Sequence, residues 1–193
     1  RRQRQMCIRD RDTPVYQINN PIRALYCDEE QTLWIGTKGG GIVRINNYSS
    51  DKEPLTSFNR ISAANSTLTD NAVYCFAPGA TGKLWIGTEN GINYYSYQSK
   101  QLKEFPVVAD NKKVKYVHSI NELNDTTLWV STVGEGIVKV ILNNTGSSPV
   151  VKSATRIVLD KGRMASNYFF TSFQESDSIL WFGNRGYGAY RLN

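Results

Sequence analysis

The sequence has few of the residues that build metal sites and nucleophilic sites. Its 193 residues include three cysteines and one histidine, His118. Cys7, Cys27 and Cys75 lie too far apart for a CxxC pair, and with one histidine they cannot form a zinc site of the usual kind. An odd number of cysteines also gives no disulfide framework. Because Cys27 and Cys75 lie in apolar runs, we predict that both thiols are buried and unreactive.

Long apolar runs and a strong charge of one sign are missing as well. No run approaches the roughly eighteen residues that a membrane helix needs. The net charge is +6, but the first eleven residues hold five arginines and one aspartate, which leaves +2 for the rest. The nearest thing to a basic cluster there is Lys112, Lys113 and Lys115, which is typical of a solvated turn. We expect residues 1–13 to be a basic disordered end, and we expect no nucleic-acid partner.

A tryptophan motif occurs four times and uses every tryptophan of the chain. The intervals between successive tryptophans are 51, 44 and 52 residues. A glycine follows seven residues after the tryptophan in three copies and six residues after it in the second copy, at Gly91. The four copies read LWIGT, LWIGT, LWVST and LWFGN, and they centre on Trp34, Trp85, Trp129 and Trp181.

Each copy reads as strand, turn, tryptophan strand, glycine turn and strand, and no segment has a convincing helical period. A weaker fourth strand is predicted in three copies, at Leu55–Phe58, Leu102–Phe105 and Ser153–Val158. Four short antiparallel strands at this period are typical of a β-propeller blade. Consecutive apolar residues around the tryptophan predict a strand that is buried on both faces. The small residue two places later lets a neighbouring sheet approach closely, and it is Gly36, Gly87, Ser131 and Gly183.

The predicted fold is therefore all-β, a β-propeller section of about four blades built from four-stranded antiparallel sheets. The later glycine of each copy is predicted to take a positive φ in a tight turn. The ends of the section could pair to close a four-bladed ring, or they could be edges of a larger ring, which we favour; closure between chains is a further possibility. The expected parts are an outer strand at 14–19, blades at 20–59, 71–106 and 115–159, and a partial blade at 167–193.

The strings LWIGTKGGGIVRIN, LWIGTENGINYY and NSTLTDNAVYCF resemble the two-component regulator propeller repeat. The resemblance covers roughly residues 14–193, and it departs from the pattern at Ser131, Asn184 and the early Gly91. It implies the extracytoplasmic, periplasmic sensor region of a hybrid two-component histidine kinase. It further implies an oligosaccharide ligand, the remaining blades and kinase domains of a longer parent chain as partners, a homodimer, and no cofactor.

Several residues are candidates for binding, and none forms a catalytic set. The tryptophans recur at one position, so we interpret them as core residues and not as sugar platforms. His118 is predicted on an innermost strand, facing the central channel or a neighbouring blade. The remaining candidates lie in loops between the second and third strands: Lys38, Glu89, Asn90, Glu135, Arg185 and Tyr187. The loops that enter the first strands add Asn65, Asp110, Lys112 and Arg163.

This mixture of charges, amides and a tyrosine suits a polyhydroxylated ligand better than catalysis. There is no recognisable Ser-His-Asp triad and no carboxylate pair that stands out. We therefore predict a non-catalytic sensor with no metal. The alternatives are a propeller enzyme such as a streptogramin-type lyase, which usually needs several channel-facing acid/base residues, and a protein-interaction scaffold like the WD-repeat rings.

Overall fold

A computed structural model describes residues 20–46, 58–80, 82–143, 148–158 and 166–192. Every regular element in these ranges is a β-strand. The described part of the chain contains no helix that is long and apolar enough to cross a membrane. The predicted basic end at 1–13, the predicted outer strand at 14–19 and Arg163 lie outside the described residues.

Four sheets follow one another along the chain, with a small hairpin after the second. The first blade contains β1 (Ile22–Cys27), β2 (Thr32–Thr37), β3 (Ile42–Asn46) and β4 (Phe58–Ile61). The second contains β5 (Val73–Gly79), β6 (Lys83–Thr88), β7 (Gly91–Ser96) and β8 (Gln101–Phe105), and the hairpin contains β9 (Val108–Ala109) and β10 (Lys112–Lys113). The third contains β11 (Val117–Asn124), β12 (Thr127–Thr132), β13 (Ile137–Asn143) and β14 (Val150–Ile157), and the fourth β15 (Phe169–Gln174), β16 (Leu180–Asn184) and β17 (Gly188–Leu192).

In each blade, consecutive strands pair antiparallel in simple up-and-down order. Three blades have four strands and the fourth has three. The first strands of successive blades contact one another, β1 with β5, β5 with β11, and β11 with β15. The first strand of every blade therefore lies innermost, and the predicted all-β propeller section is confirmed.

One local expectation differs from the structure, and another is tested only in part. The described outer strand of the first blade is Phe58–Ile61; the strand predicted around Leu55–Phe58 meets it at Phe58, and residues 55–57 lie outside the described residues. Lys112 and Lys113 lie in strand β10, not in a loop. The hairpin forms because Asp110 and Asn111 both take positive φ, 51° and 62°. Two successive positive-φ residues make the tight turn that joins short antiparallel strands, and Asp and Asn are residues that tolerate it.

The core lies between blades, and the tryptophans form its centre. Trp34 and Trp85 are 0% exposed and Trp129 is 5% exposed, whereas Trp181 in the last blade is only half-buried. The indole of Trp34 lies 4.9 Å from the ring of Tyr95 in the second blade. Each buried indole therefore fills space between its own sheet and the next one.

Glycines allow the sheets to approach. A Cβ on Gly36 would lie 2.9 Å from Val73 Cγ1 of the next blade, and a Cβ on Gly87 would lie 2.7 Å from Val117 O. The later turn glycines have positive φ as predicted, for example 75° at Gly41 and 138° at Gly91. The glycine pattern of the repeat thus follows from sheet packing at one position and from turn geometry at the other.

Fourteen residues before the tryptophan, three copies have an asparagine, whereas the third copy has Lys115. This departure and the early glycine at Gly91 lie at the same junction, between the second and third blades. Between the first two blades, the carbonyl of Asn71 accepts hydrogen bonds from the amides of Gly39 and Gly41. Asn167 makes the same pair of contacts between the third and fourth blades. Between the second and third blades the turn is one residue shorter and no asparagine follows. There, the amide of Tyr116 donates to the carbonyl of Glu89 instead, at 2.8 Å.

A half-buried carboxylate completes the environment of the Trp85 indole. The indole N–H of Trp85 donates to the carboxylate of Glu122 in the third blade, and both groups lie next to Gly79. A Cβ at Gly79 would lie 2.6 Å from Glu122 Oε2, so glycine leaves the space that this carboxylate occupies. Burial raises the pKa of Glu122 above its ordinary value, and the indole N–H offsets part of that rise.

The raised pKa of Glu122 gives a pH-dependent prediction. The folded state holds the proton more tightly, so this group favours folding most below its unfolded pKa of about 4.3, and that benefit is lost as pH rises through the folded value. Glu122→Gln keeps an oxygen that accepts from Trp85. We expect the variant to unfold at higher urea than the parent at pH 7 and at the same concentration below about pH 4. Lower stability of the variant at pH 7 would contradict this account.

Candidate functional site

A β-bulge occurs at the same place in the innermost strand of every blade. The antiparallel register shifts between the first and third residues of β1, β5, β11 and β15. The bulged residue lies eleven positions before the tryptophan in each copy. Bulges are common at barrel rims and next to binding sites, where they redirect a side chain. The four bulged residues, here called the inner row, are Arg23, Tyr74, His118 and Phe170.

Three members of the inner row form a line of aromatic rings. Tyr74 stacks on His118 with 4.1 Å between ring centroids and 15° between planes. His118 meets Phe170 nearly edge to face, at 5.0 Å and 77°. Tyr74 and His118 are half-buried, Phe170 is 40% exposed, and Arg23 at the other end is exposed. The row therefore presents solvent-accessible aromatic surface at the inner edge of three consecutive blades, with Arg23 on the blade before them.

Two charges flank this line of rings. The hydroxyl of Tyr74 donates to Glu89 Oε2 at 2.9 Å. Burial, together with Glu89, raises the pKa of Tyr74 to about 12, against a lowering by Arg23. Burial and the charge of Arg23 lower the pKa of His118, and Glu89 opposes them. Both rings are therefore neutral near pH 7, which leaves Arg23 as the cation and Glu89 as the anion.

The structure brings two of the predicted binding residues together. Glu89 and His118 both contact Tyr74, so loop and inner strand meet at one place. His118 contacts the rings of Tyr74 and Phe170 in the two neighbouring blades. A neighbouring blade was one of the two environments predicted for it, the other being the central channel. Arg23, Tyr74 and Phe170 are not among the residues predicted from the sequence. Their shared offset from the tryptophan was the available signal, but their residue types differ, so a search for repeated residues passes over them.

Glu135 is engaged in an internal ion pair. Its Oε2 lies 2.7 Å from Arg156 Nη1, and the Arg156 side chain is 8% exposed. Asp110 lies on the other side of the same guanidinium, with 3.9 Å between Oδ2 and Nε. A nearly buried guanidinium needs such partners, because an unpaired buried charge is costly. Asp110 thus links the hairpin to the third blade, whereas Glu135 pairs with Arg156 within that blade.

The remaining predicted residues are spread over other loops. Lys38 is exposed, and its amide donates to Pro21 O at 2.8 Å. The Asn65 side chain holds its own turn, because it accepts from the amide of Ser62 and donates to the carbonyl of Arg60. Arg185 and Tyr187 are exposed in the last turn of the fourth blade. None of these four side chains belongs to the inner row as the described residues define it.

Asn90 lines a separate shallow pocket of about 370 Å³. Thr67 lines it too, and so do Glu104 and Lys113, whose carboxylate and ammonium groups lie 3.2 Å apart. The pocket lies beside the shortened turn of the second blade. It is therefore a second polar surface, distinct in its residues from the inner row.

The cysteines behave differently from one another. Burial raises the pKa of the Cys75 thiol to about 12, so this thiol is unreactive. Cys27 is exposed at the end of β1, and its expected burial is wrong. Only one face of β1 is covered by other residues, and Cys27 lies on the exposed face. Within the described ranges, no three His, Cys, Asp or Glu side chains are grouped closely enough to hold a metal ion.

Two segments of the chain, residues 16–39 and 67–90, match the sequence model of the family described as two component regulator propeller. The chain contains two-component regulator propeller repeats. The matched segments are the first two of the four copies, each from the approach to the inner strand through the tryptophan turn. The resemblance seen in the sequence is thereby confirmed.

The chain is also similar to longer proteins. It is 29% identical over 126 residues to "Histidine kinase P4" of Formosa agariphila, which covers 65% of this chain and 9% of that protein. It matches the extracellular domain of a putative hybrid two component system from B. thetaiotaomicron with a TM-score of 0.72 and 18% identity, over 90% of this chain and 24% of that one. Virginiamycin B lyase from Staphylococcus aureus matches with a TM-score of 0.61 and 14% identity, over 92% of this chain and 56% of that one.

The chain thus spans a small part of the histidine kinase that it matches. The structural matches are below 25% identity and establish the fold alone. The repeat family, in contrast, rests on matched sequence segments.

Proposed function

We propose that the chain is part of the non-catalytic, extracytoplasmic sensor propeller of a two-component receptor. Its ligand is an oligosaccharide from polysaccharide breakdown, and its output is a change in a histidine kinase of the same receptor. The matched repeats and the similarity to a histidine kinase support the receptor class. The other blades, the kinase domains and a second copy of the receptor would be its partners, and the periplasm would be its location.

The observation that carries the ligand class is the mixed character of the inner row. Aromatic rings offer an apolar face, and Arg23 and Glu89 offer a donor and an acceptor at its sides. A sugar ring has one apolar face and a rim of hydroxyl groups, so it needs both. Binding pockets for polar small molecules commonly combine aromatic walls with a few directed polar groups.

Signalling from such a site requires that the ligand distinguish two states of the receptor. A ligand shifts an equilibrium only by the difference between its affinities for the two states. The inner row draws one residue from each of four blades, so a ligand there contacts several sheets at once. A small change in the angle between blades would then alter its affinity.

A thermal-shift experiment tests this proposal directly. At a concentration of one hundred times Kd, a ligand that binds only the folded state adds about 2.7 kcal/mol of stability. For a chain of this size that corresponds to a rise in Tm of about 5–10 °C. We expect at least one tetrasaccharide among a panel of plant and algal glycans to give such a rise, with the free monosaccharides as controls. A flat response across the panel would count against an oligosaccharide sensor.

The competing function is a lyase, since virginiamycin B lyase has a similar fold. In this chain, the lyase function is supported only by His118, whose ring lies between those of Tyr74 and Phe170. An activity that depends on a divalent metal and is lost in His118→Ala would favour it. Capture of protein partners alone, with no glycan bound, would favour a scaffold.

A further inference from the structure

The inner row differs in kind from the structural positions of the repeat. The positions that packing requires carry nearly the same residue in every copy, as with the four tryptophans. The bulged position instead carries an arginine, a tyrosine, a histidine and a phenylalanine, although the backbone irregularity is the same in all four blades. The fold therefore fixes where these side chains are placed and leaves their chemistry free.

We propose that the inner row, together with Glu89, is the binding site for a neutral pyranose unit of the oligosaccharide. The proposal rests on the sensor function above and assigns the site within it. The apolar face of the sugar packs on the exposed part of Phe170 and along His118. Its hydroxyl groups bond to Glu89 and Arg23.

The charges around the row select a neutral ring. The Tyr74 hydroxyl bonds to Oε2 of Glu89, and in this proposal the other carboxylate oxygen, Oε1, accepts from a sugar hydroxyl. A purely apolar ligand would bury the charge of Arg23, and would leave the Glu89 carboxylate with no donor beyond Tyr74, at a cost in free energy. A uronate would meet the carboxylate of Glu89 as well as the cation Arg23. One charge of each sign fits a ligand that has many hydroxyl groups and no net charge.

The test compares two phenylalanines of strand β15. Phe170 belongs to the row, whereas Phe173 lies three residues further along the strand and is 64% exposed. The probes are cellotetraose, xylotetraose, mannotetraose, laminaritetraose and tetragalacturonate, titrated by calorimetry. We expect the protein to bind at least one neutral tetrasaccharide, Phe170→Ala to weaken that binding about tenfold, and Phe173→Ala to leave it unchanged. Phe170→Leu keeps the bulk without the ring and covers the case that alanine disturbs the fold; it is expected to weaken binding as well.

The possible failures are distinct. Equal binding by the parent, Phe170→Ala and Phe170→Leu would overturn this site but leave the sensor proposal standing. Tighter binding of tetragalacturonate than of every neutral probe would overturn the neutral ligand. If no probe binds at all, the site and the oligosaccharide sensor are both rejected.

Discussion

Replacing Gly87 with alanine is expected to lower the free energy of unfolding by about 2–3 kcal/mol. The added Cβ would lie 2.5 Å from Cys75 Sγ and 2.7 Å from Val117 O. The second contact is with the backbone of the innermost strand of the next blade, which no change of rotamer can relieve. The second and third blades would have to separate along their shared core, where Trp85 and Val117 are 0% exposed.

Gly183→Ala is the matched control, because Gly183 holds the same place after Trp181. There, the closest atom to an added Cβ is Thr171 Cγ2, at 2.6 Å, a side-chain methyl of the same blade. A rotation of the Thr171 side chain relieves that contact, so we expect a loss below about 1 kcal/mol. Urea unfolding followed by tryptophan fluorescence measures both variants. Equal losses would mean that the close approach between blades is not what requires glycine at Gly87.

The repeated packing of the blades explains why the fold was predictable from the sequence. A propeller section repeats the same packing problem, and each copy solves it with the same residue types. Leu-Trp-Ile marks a strand covered on both faces, and the glycine after it marks contact with the next sheet. The departures at Gly91 and Lys115 are also related to each other. Both lie at the junction between the second and third blades, where the turn is one residue shorter and its hydrogen-bond partner differs.

The candidate site was predicted less well, for a physical reason. A bulge is a property of the pairing between two strands, and no single residue type marks it here, because Arg23 is a cation whereas Tyr74 and Phe170 are aromatic. Reasoning from loops included Glu89 and Glu135 among the candidates but could not foresee that Tyr74 donates to Glu89 or that Arg156 engages Glu135. The hairpin was missed because its pairing depends on the turn at Asp110 and Asn111 more than on an apolar pattern.

A second feature that recurs without being obvious is a carboxylate six residues before the tryptophan. Asp28 and Glu175 occupy this place in the first and last blades, and each accepts from the indole N–H of its own blade. The second blade has a glycine there and uses Glu122 of its neighbour. In the third blade the position is a leucine, and the described residues offer the buried indole nitrogen of Trp129 no hydrogen-bond partner.

Asp28 is the most engaged of these carboxylates. It is 7% exposed and accepts from Trp34 Nε1 at 2.8 Å, from the amide of Thr32 at 2.8 Å and from the hydroxyl of Tyr97 at 3.1 Å. Tyr97 lies in the second blade, so this carboxylate also joins two sheets. Burial and the charge of Asp28 raise the pKa of Tyr97, which therefore stays protonated as a donor.

Asp28→Ala should accordingly destabilise the protein by about 3 kcal/mol, because donors at the blade interface are left without an acceptor. Asp28→Asn retains one acceptor oxygen and should fall between the parent and the alanine variant. Glu175→Ala, the equivalent change at an exposed position, should cost less than about 0.5 kcal/mol. Denaturant unfolding resolves these differences, and a similar cost for Asp28→Ala and Glu175→Ala would show that the carboxylate does not join the first two blades energetically.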